Sequence, residues 1–358
     1  MEKYFSGIGF CAGIFMLKWN VFANYLTDLK LESGSKVNLF INFESILENI
    51  CNFKRFNNLM NFYKQKVIIE FESAVLNLLA HYRGFFKKNN YNGNIYLYCT
   101  GLNDLNQSMK KINKWYRNYY FNKYTRNPEY KNIKSLYDIA INDLKLIIKF
   151  IPNCFIIESN DCDGSMIPKL FEDSNNVIIT KDLFDTIYLF ENFKVLFIKQ
   201  SYRKNINECI FTDPISILSS EMDPSINICK TNIFTSEMYY KILLSFIGNH
   251  YRNIDDLNSD YIKTKDFVEL LNTKILSEEL LMDFKSIESA IKSIPKKIQN
   301  SLMNNFKCFD FNNHLSLMTE SNIENIKSQA ITEYDLESIQ ALNNQRFLEF
   351  PVSIIDLI

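Results

Sequence analysis

Residues 155–198 hold three short apolar runs, Phe155-Ile-Ile157, Val177-Ile-Ile-Thr180 and Val195-Leu-Phe-Ile198, separated by two helical patterns, Gly164 to Phe171 and Asp182 to Leu189. Apolar runs without polar alternation mark strands buried on both faces, the habit of parallel sheets covered by helices on each side. The same rhythm extends upstream. Val37-Asn-Leu-Phe-Ile41 reads as a strand and Ser45 to Ile50 and Gln65 to Phe86 as helices; Asn92-Gly-Asn94 then turns into the strand Ile95-Tyr-Leu-Tyr98. Ser108 to Tyr120 and Ile133 to Phe150 are amphipathic. The pattern predicts an α/β domain over residues 36–205, a mostly parallel sheet flanked by helices. Leu31-Glu-Ser-Gly-Ser35 separates it from an aromatic N-terminal arm, 1–35. From Ser236 helical periodicity takes over, strongest in Ser236 to Ile247, Lys263 to Leu271 and Ser277 to Ile294, so residues 206–358 are expected to be mainly helical.

Composition narrows the function classes. With 358 residues and 47% hydrophobic content the chain can bury a core, so disorder is not the default. Forty Lys and Arg against 41 Asp and Glu leave a net charge of −1, which gives no global field toward nucleic acid or anionic lipid. Any such contact must be local. The eight cysteines are dispersed and none has zinc-site spacing, so reduced, buried thiols in a cytoplasmic or virion setting are expected. The abundance of Asn, Ile and Lys fits an AT-rich genome such as that of a virus or parasite. The apolar run Phe5 to Leu17 is too short to span a bilayer, and neither a signal peptide nor a membrane role is expected. His81, His250 and His314 lack metal-pair spacing. No G-x-S-x-G elbow, P-loop or G-x-G-x-x-G occurs, which removes the mechanical parts of serine hydrolases and nucleotide binders.

Open parallel sheets bind ligands at the carboxyl ends of their strands. Those ends read Asn42-Phe43-Glu44, Cys99-Thr100-Gly101, Glu158-Ser-Asn160-Asp161-Cys-Asp163-Gly164 and Lys181-Asp182-Leu-Phe184-Asp185. Further on, Phe246-Ile-Gly248-Asn249-His-Tyr-Arg252-Asn253-Ile254 leads to Ile262-Lys-Thr-Lys-Asp-Phe-Val-Glu-Leu-Leu271. Between strands two and three lies a basic, aromatic stretch containing Lys110, Lys111, Lys114, Trp115, Arg117 and Lys123.

In this order and spacing, roughly over residues 37–290, the chain resembles the flap endonuclease and 5′ exonuclease branch of the PIN-like nuclease superfamily. The resemblance implies a two-metal phosphodiesterase site on carboxylates at the strand ends, a helical arch near Lys110–Arg126 that threads single-stranded DNA, and a helix–three-turn–helix that grips the duplex backbone. It also shows where this chain departs. Asn42, Cys99 or Thr100, Asn160, Phe184 and Asn249 stand where the family carries acids; Glu158, Asp161 and Asp182 remain, and Asp185 lies one place late. The hairpin glycines of the helix–three-turn–helix are missing.

Two hard divalent ions close together need several carboxylates to offset their repulsion. Asn supplies an oxygen without charge, and Phe supplies nothing. The expectation is therefore a catalytically degenerate flap-endonuclease-like protein without a resident cofactor. It would be reused as an assembly component, plausible for a phage or viral particle, with protein partners, self-association as a homo-oligomer and some DNA contact. The apolar stretches at residues 5–17 and 350–358 favour docking against a partner. The alternative is an active Mg²⁺- or Mn²⁺-dependent 5′ nuclease, with Glu158, Asp161 and Asp182 as metal ligands, Asp185 beside them, and Glu44 and Asp163 in support. The surviving acids also have a plainer reading as helix caps: Glu158 and Asp161 for the helix near Gly164, Asp182 for the helix after strand four.

Overall fold

The run Asn38–Asn42 (β1) is buried along its whole length because it lies at the centre of a six-stranded sheet, paired on both sides. In the computed structural model the described residues are 31–43, 64–99, 141–159, 164–200 except 174, 208–228 except 224 and 227, 237–249, 254–258, 262–277 and 291–332 except 293, with 337 and 340–341. The other strands are Ile95–Cys99 (β2), Cys154–Glu158 (β3), Asn176–Thr180 (β4), Phe193–Gln200 (β5) and Glu208–Phe211 (β6). Their order is β3-β2-β1-β4-β5-β6; the first five are parallel, and β6 runs antiparallel to β5. Strand order reverses between β1 and β4, which makes their carboxyl ends the switch point of a doubly wound sheet.

Alternation along the strands sends side chains to two covered faces. Leu39, Ile41, Leu97, Val177 and Ile179 pack against Val75, Leu79 and Tyr82 of Lys64–Asn89 (α1), and against Leu144 and Ile148 of the helical residues 141–148. Phe40, Tyr96, Ile178, Val195 and Phe197 face the other way, toward Met166 and Ile167 at the start of Ile167–Leu170 (α2) and toward a 3₁₀ helix, Leu183–Phe190. Gly93 closes the entry to β2: at φ +150 a Cβ there would lie 2.0 Å from Val37 O, so the chain can run this close only without a side chain.

A mostly parallel sheet flanked by helices, followed by a helical region, is the architecture the apolar runs predict. The helices of that region are Pro214–Glu221 (α3), Glu237–Ile247 (α4), Thr264–Ser277 (α5), Lys296–Cys308 (α6), Phe311–Leu315 (α7) and Glu320–Ser328 (α8). β6 extends the sheet beyond residue 205, and Phe40 and Tyr96 share one apolar core with Leu243, Phe267, Leu302 and Phe309 from the helices. The four-residue strand β6 and the Asp213-capped α3 were too short for periodicity to reveal. The segments 1–30, Ser45 to Ile50, Ser108 to Tyr120, most of Ser277 to Ile294 and 350–358 lie outside the described residues. No helix among the described residues is long and apolar enough to cross a membrane.

Candidate functional site

The register of the central strands decides which side chains meet at the switch point. Asn42 pairs with Tyr98 across β1 and β2, and Ile41 pairs with Ile179 across β1 and β4, so Asn42, Tyr98 and Thr180 stand in one row on one face at the strand ends. The 3₁₀ helix after β4 lowers Asp185 onto that row. Its Oδ2 accepts three hydrogen bonds: from Asn42 Nδ2 at 2.9 Å, Tyr98 OH at 2.7 Å and Thr180 Oγ1 at 2.6 Å. Asp185 and Thr180 are completely buried and Asn42 is 1% exposed, so these bonds form away from bulk water, where a carboxylate most needs them.

Asp182 opens the 3₁₀ helix as its N-cap, accepting from Phe184 N at 2.9 Å, as its plainer reading expects. The same Oδ1 accepts from Asn249 Nδ2 at 2.6 Å, which ties the sheet end to the loop between α4 and α5. Thr180 joins the two acids: its Oγ1 accepts from Asp182 N at 2.9 Å and donates to Asp185. The result is one buried network running Asn249, Asp182, Thr180, Asp185, then Asn42 and Tyr98. Lys181, between Thr180 and Asp182 in sequence, is also buried.

The loop itself is held in shape locally. Gly248 ends α4 at φ +78, and a Cβ there would lie 2.3 Å from Ile254 O. Asn249 and Ile254 exchange backbone hydrogen bonds, and Asn305 Nδ2 of α6 donates to Ser245 O and Asp255 O. Phe246 stacks on Phe267 at 4.0 Å, joining α4 to α5. α4 and α5 flank this loop, and Asn249 lies at its sheet-facing end.

Glu158 does not join this network. It ends β3, and β2 and β1 lie between β3 and β4, a backbone separation of roughly 14 Å at three strand spacings. Its side chain pairs with Lys145 Nζ from the helical residues 141–148, and its backbone is held by Gln329. The helix near Gly164 begins with the 3₁₀ turn Gly164–Met166, which runs into α2 at Ile167. Asp161, Asp163 and Glu44 lie outside the described residues, as do Lys110, Lys111, Lys114, Trp115, Arg117 and Lys123. Among the described residues no group of three or more His, Cys, Asp and Glu could hold a metal ion.

The donors around Asp185 also bear on metal chemistry. A divalent ion needs oxygen lone pairs aimed at it. Asp185 Oδ2 already accepts three hydrogens, and Asn42 Nδ2 and the Tyr98 hydroxyl present hydrogens rather than lone pairs. Burial, and then the Asp185 charge, push the Tyr98 phenol well above its ordinary range, which keeps it a donor. The described residues at this sheet end do not fit a two-ion centre.

Burial also raises the phenols of Tyr82 and Tyr240. The unfolded chain releases such protons near pH ~10, whereas the folded chain retains them. Stability from Tyr82, Tyr98 and Tyr240 is therefore fully present below pH ~10 and falls above it, by about 1.4 kcal/mol per pH unit for each phenol. An alkaline titration should show their phenolate absorbance rising together with the loss of circular dichroism. Full tyrosine ionisation in a chain that keeps its native spectrum would contradict this.

Tyr98 and Thr180 carried no weight as sequence candidates, since an aromatic and a β-branched residue inside apolar strands read as core. Only the parallel register places them beside Asn42. Phe184, read as the replacement of an acid, is completely buried and faces Phe311 at 5.2 Å and His314 at 5.1 Å, away from any ligand chemistry.

Fold and site together define a doubly wound, mostly parallel α/β protein whose switch point is filled by a buried, hydrogen-bonded polar network. No family model and no curated protein matches the chain. Among solved structures it is similar to the flap endonuclease of bacteriophage T5, crystallised as a pseudo-enzyme–product complex with DNA and metal ions. The identity is 11%, the alignment covers 82% of this chain and 97% of that one, and the TM-score is 0.49. A likeness of this size says nothing about chemistry.

Proposed function

We propose that this chain is a catalytically inactive relative of the flap endonucleases, retained as a scaffold in a protein assembly such as a viral particle. The observation that supports this best is the saturation of Asp185 Oδ2 by Asn42, Tyr98 and Thr180. An oxygen so engaged, beside an Asp182 Oδ1 bonded to Asn249 and to the backbone, stabilises the sheet end and is a poor metal ligand. The apolar stretches at 5–17 and 350–358 support a partner-bound state, with a second copy of the chain as the simplest partner. DNA contact would come from Lys110, Lys111, Lys114, Trp115, Arg117 and Lys123, where cations alternate with aromatics.

The test is incubation of the purified chain with 5′-flap and 5′-ended DNA in Mg²⁺ or Mn²⁺, alongside calorimetric titration of either ion. No cleavage above background and no heat of metal binding are expected. Metal-dependent cleavage that disappears in Asp182→Ala would overturn the proposal and favour a 5′ nuclease using Glu44, Asp161 and Asp163.

A further inference from the structure

Among the described residues the sheet has an edge at β3, and a single side chain closes its end. Ile95 N donates to Asn153 O, so parallel alternation turns Asn153, Phe155 and Ile157 toward β2 and turns the N–H and C=O of Cys154, Ile156 and Glu158 outward. At the start of the strand, Cys154 N returns to Ile151 O. At its end, both backbone groups of Glu158 are taken by one side chain. Gln329 Oε1 accepts from Glu158 N at 2.9 Å, and Gln329 Nε2 donates to Glu158 O at 2.8 Å.

A carboxamide carries one donor and one acceptor side by side, the same pair that a neighbouring strand would present. Gln329 follows α8, whose Thr319 capping box and buried Ile326 fix it against the core, so the amide is offered from a rigid base. We propose that Gln329 is an edge lock: its side chain stands in for one residue of a seventh strand and blocks pairing of β3 with the β3 of a second copy of this chain. Two features make an open edge there hazardous. Leu146, beside the Lys145 that reaches Glu158, is 58% exposed, and Ile331, two residues beyond the lock, is 60% exposed. A bare strand end flanked by exposed apolar side chains is a template for edge-to-edge association.

Gln329→Met keeps the length of the side chain and removes both hydrogen bonds. In native-state hydrogen exchange, the Glu158 amide should exchange roughly tenfold faster in the variant, the loss of about one buried hydrogen bond. The Ile41 amide in β1 should keep its protection, which shows that the fold is intact. In Gln329→Glu the acceptor remains and the donor is gone, so Glu158 N–H should stay protected. Sedimentation should show Gln329→Met associating at lower concentration than the wild-type chain. Unchanged exchange at Glu158 in Gln329→Met would overturn the proposal, and so would faster exchange without any change in association.

Discussion

Asp185→Ala should lower the unfolding free energy by about 3–5 kcal/mol, a large part of what holds a domain together. The cost is not the loss of contact area, since the side chain is small. It comes from the donors left behind: Asn42 Nδ2, Tyr98 OH and Thr180 Oγ1 all converge on Asp185 Oδ2, inside a region with almost no solvent exposure. Each donor then faces a void or must turn toward an apolar neighbour, and an unsatisfied buried polar group costs about 1–3 kcal/mol. Asp185→Asn separates the two parts of this effect. The amide keeps one acceptor oxygen but loses the charge and introduces two hydrogens among existing donors, so it should fall between wild type and alanine. Urea denaturation of wild type, Asn and Ala variants gives the ranking directly. An alanine variant within about 1 kcal/mol of wild type would mean that the network is incidental to stability.

The same network shows how far the sequence could be read. The strands were legible because burial on both faces leaves a continuous apolar run, and β1, β2, β3 and β4 each lie within one or two residues of their expected limits. Strand-end carboxylates were legible as candidates because a parallel sheet places them at one end. Their neighbours were not. Nothing local to Tyr98 or Thr180 distinguishes them from core residues; their role follows from Asn42 aligning with Tyr98 and Ile41 with Ile179. Asn249 reaches Asp182 across 67 residues, and Gln329 reaches Glu158 across 171. Such pairs depend on how the helical region is laid over the sheet. That packing has no periodic signature, which is also why Glu158, level with the other acids in the reading of strand ends, is an ion-paired edge residue three strand positions from Asp182.

Phe184→Ala probes that docking and should cost about 3–5 kcal/mol, the range for truncating a fully buried aromatic. Phe184 lies at the start of the 3₁₀ helix, two residues from the Asp182 cap and next to Asp185, with its ring packed against residues of the helical region. Its ring lies 6.3 Å from Phe309, 5.2 Å from Phe311 and 5.1 Å from His314, so it meets the turn between α6 and α7 and the end of α7 itself. Edge-on aromatic pairs add to area burial, and the cavity left by alanine would be lined by rigid rings that cannot easily collapse. The loss should be uneven. α6 and α7 are anchored to the 3₁₀ helix through this cluster, whereas β1 and β2 are held by α1 on the far face. Hydrogen exchange should therefore rise first in residues 296–315 and later in the central strands. Restoring an acid here, as in Phe184→Asp, would place a charge among Phe309, Phe311 and His314, and should destabilise more than alanine whatever ion is supplied. Rescue of Phe184→Asp by Mn²⁺ would show that the ring occupies a living metal site; continued instability in its presence would show that the position belongs to the interface between sheet and helices.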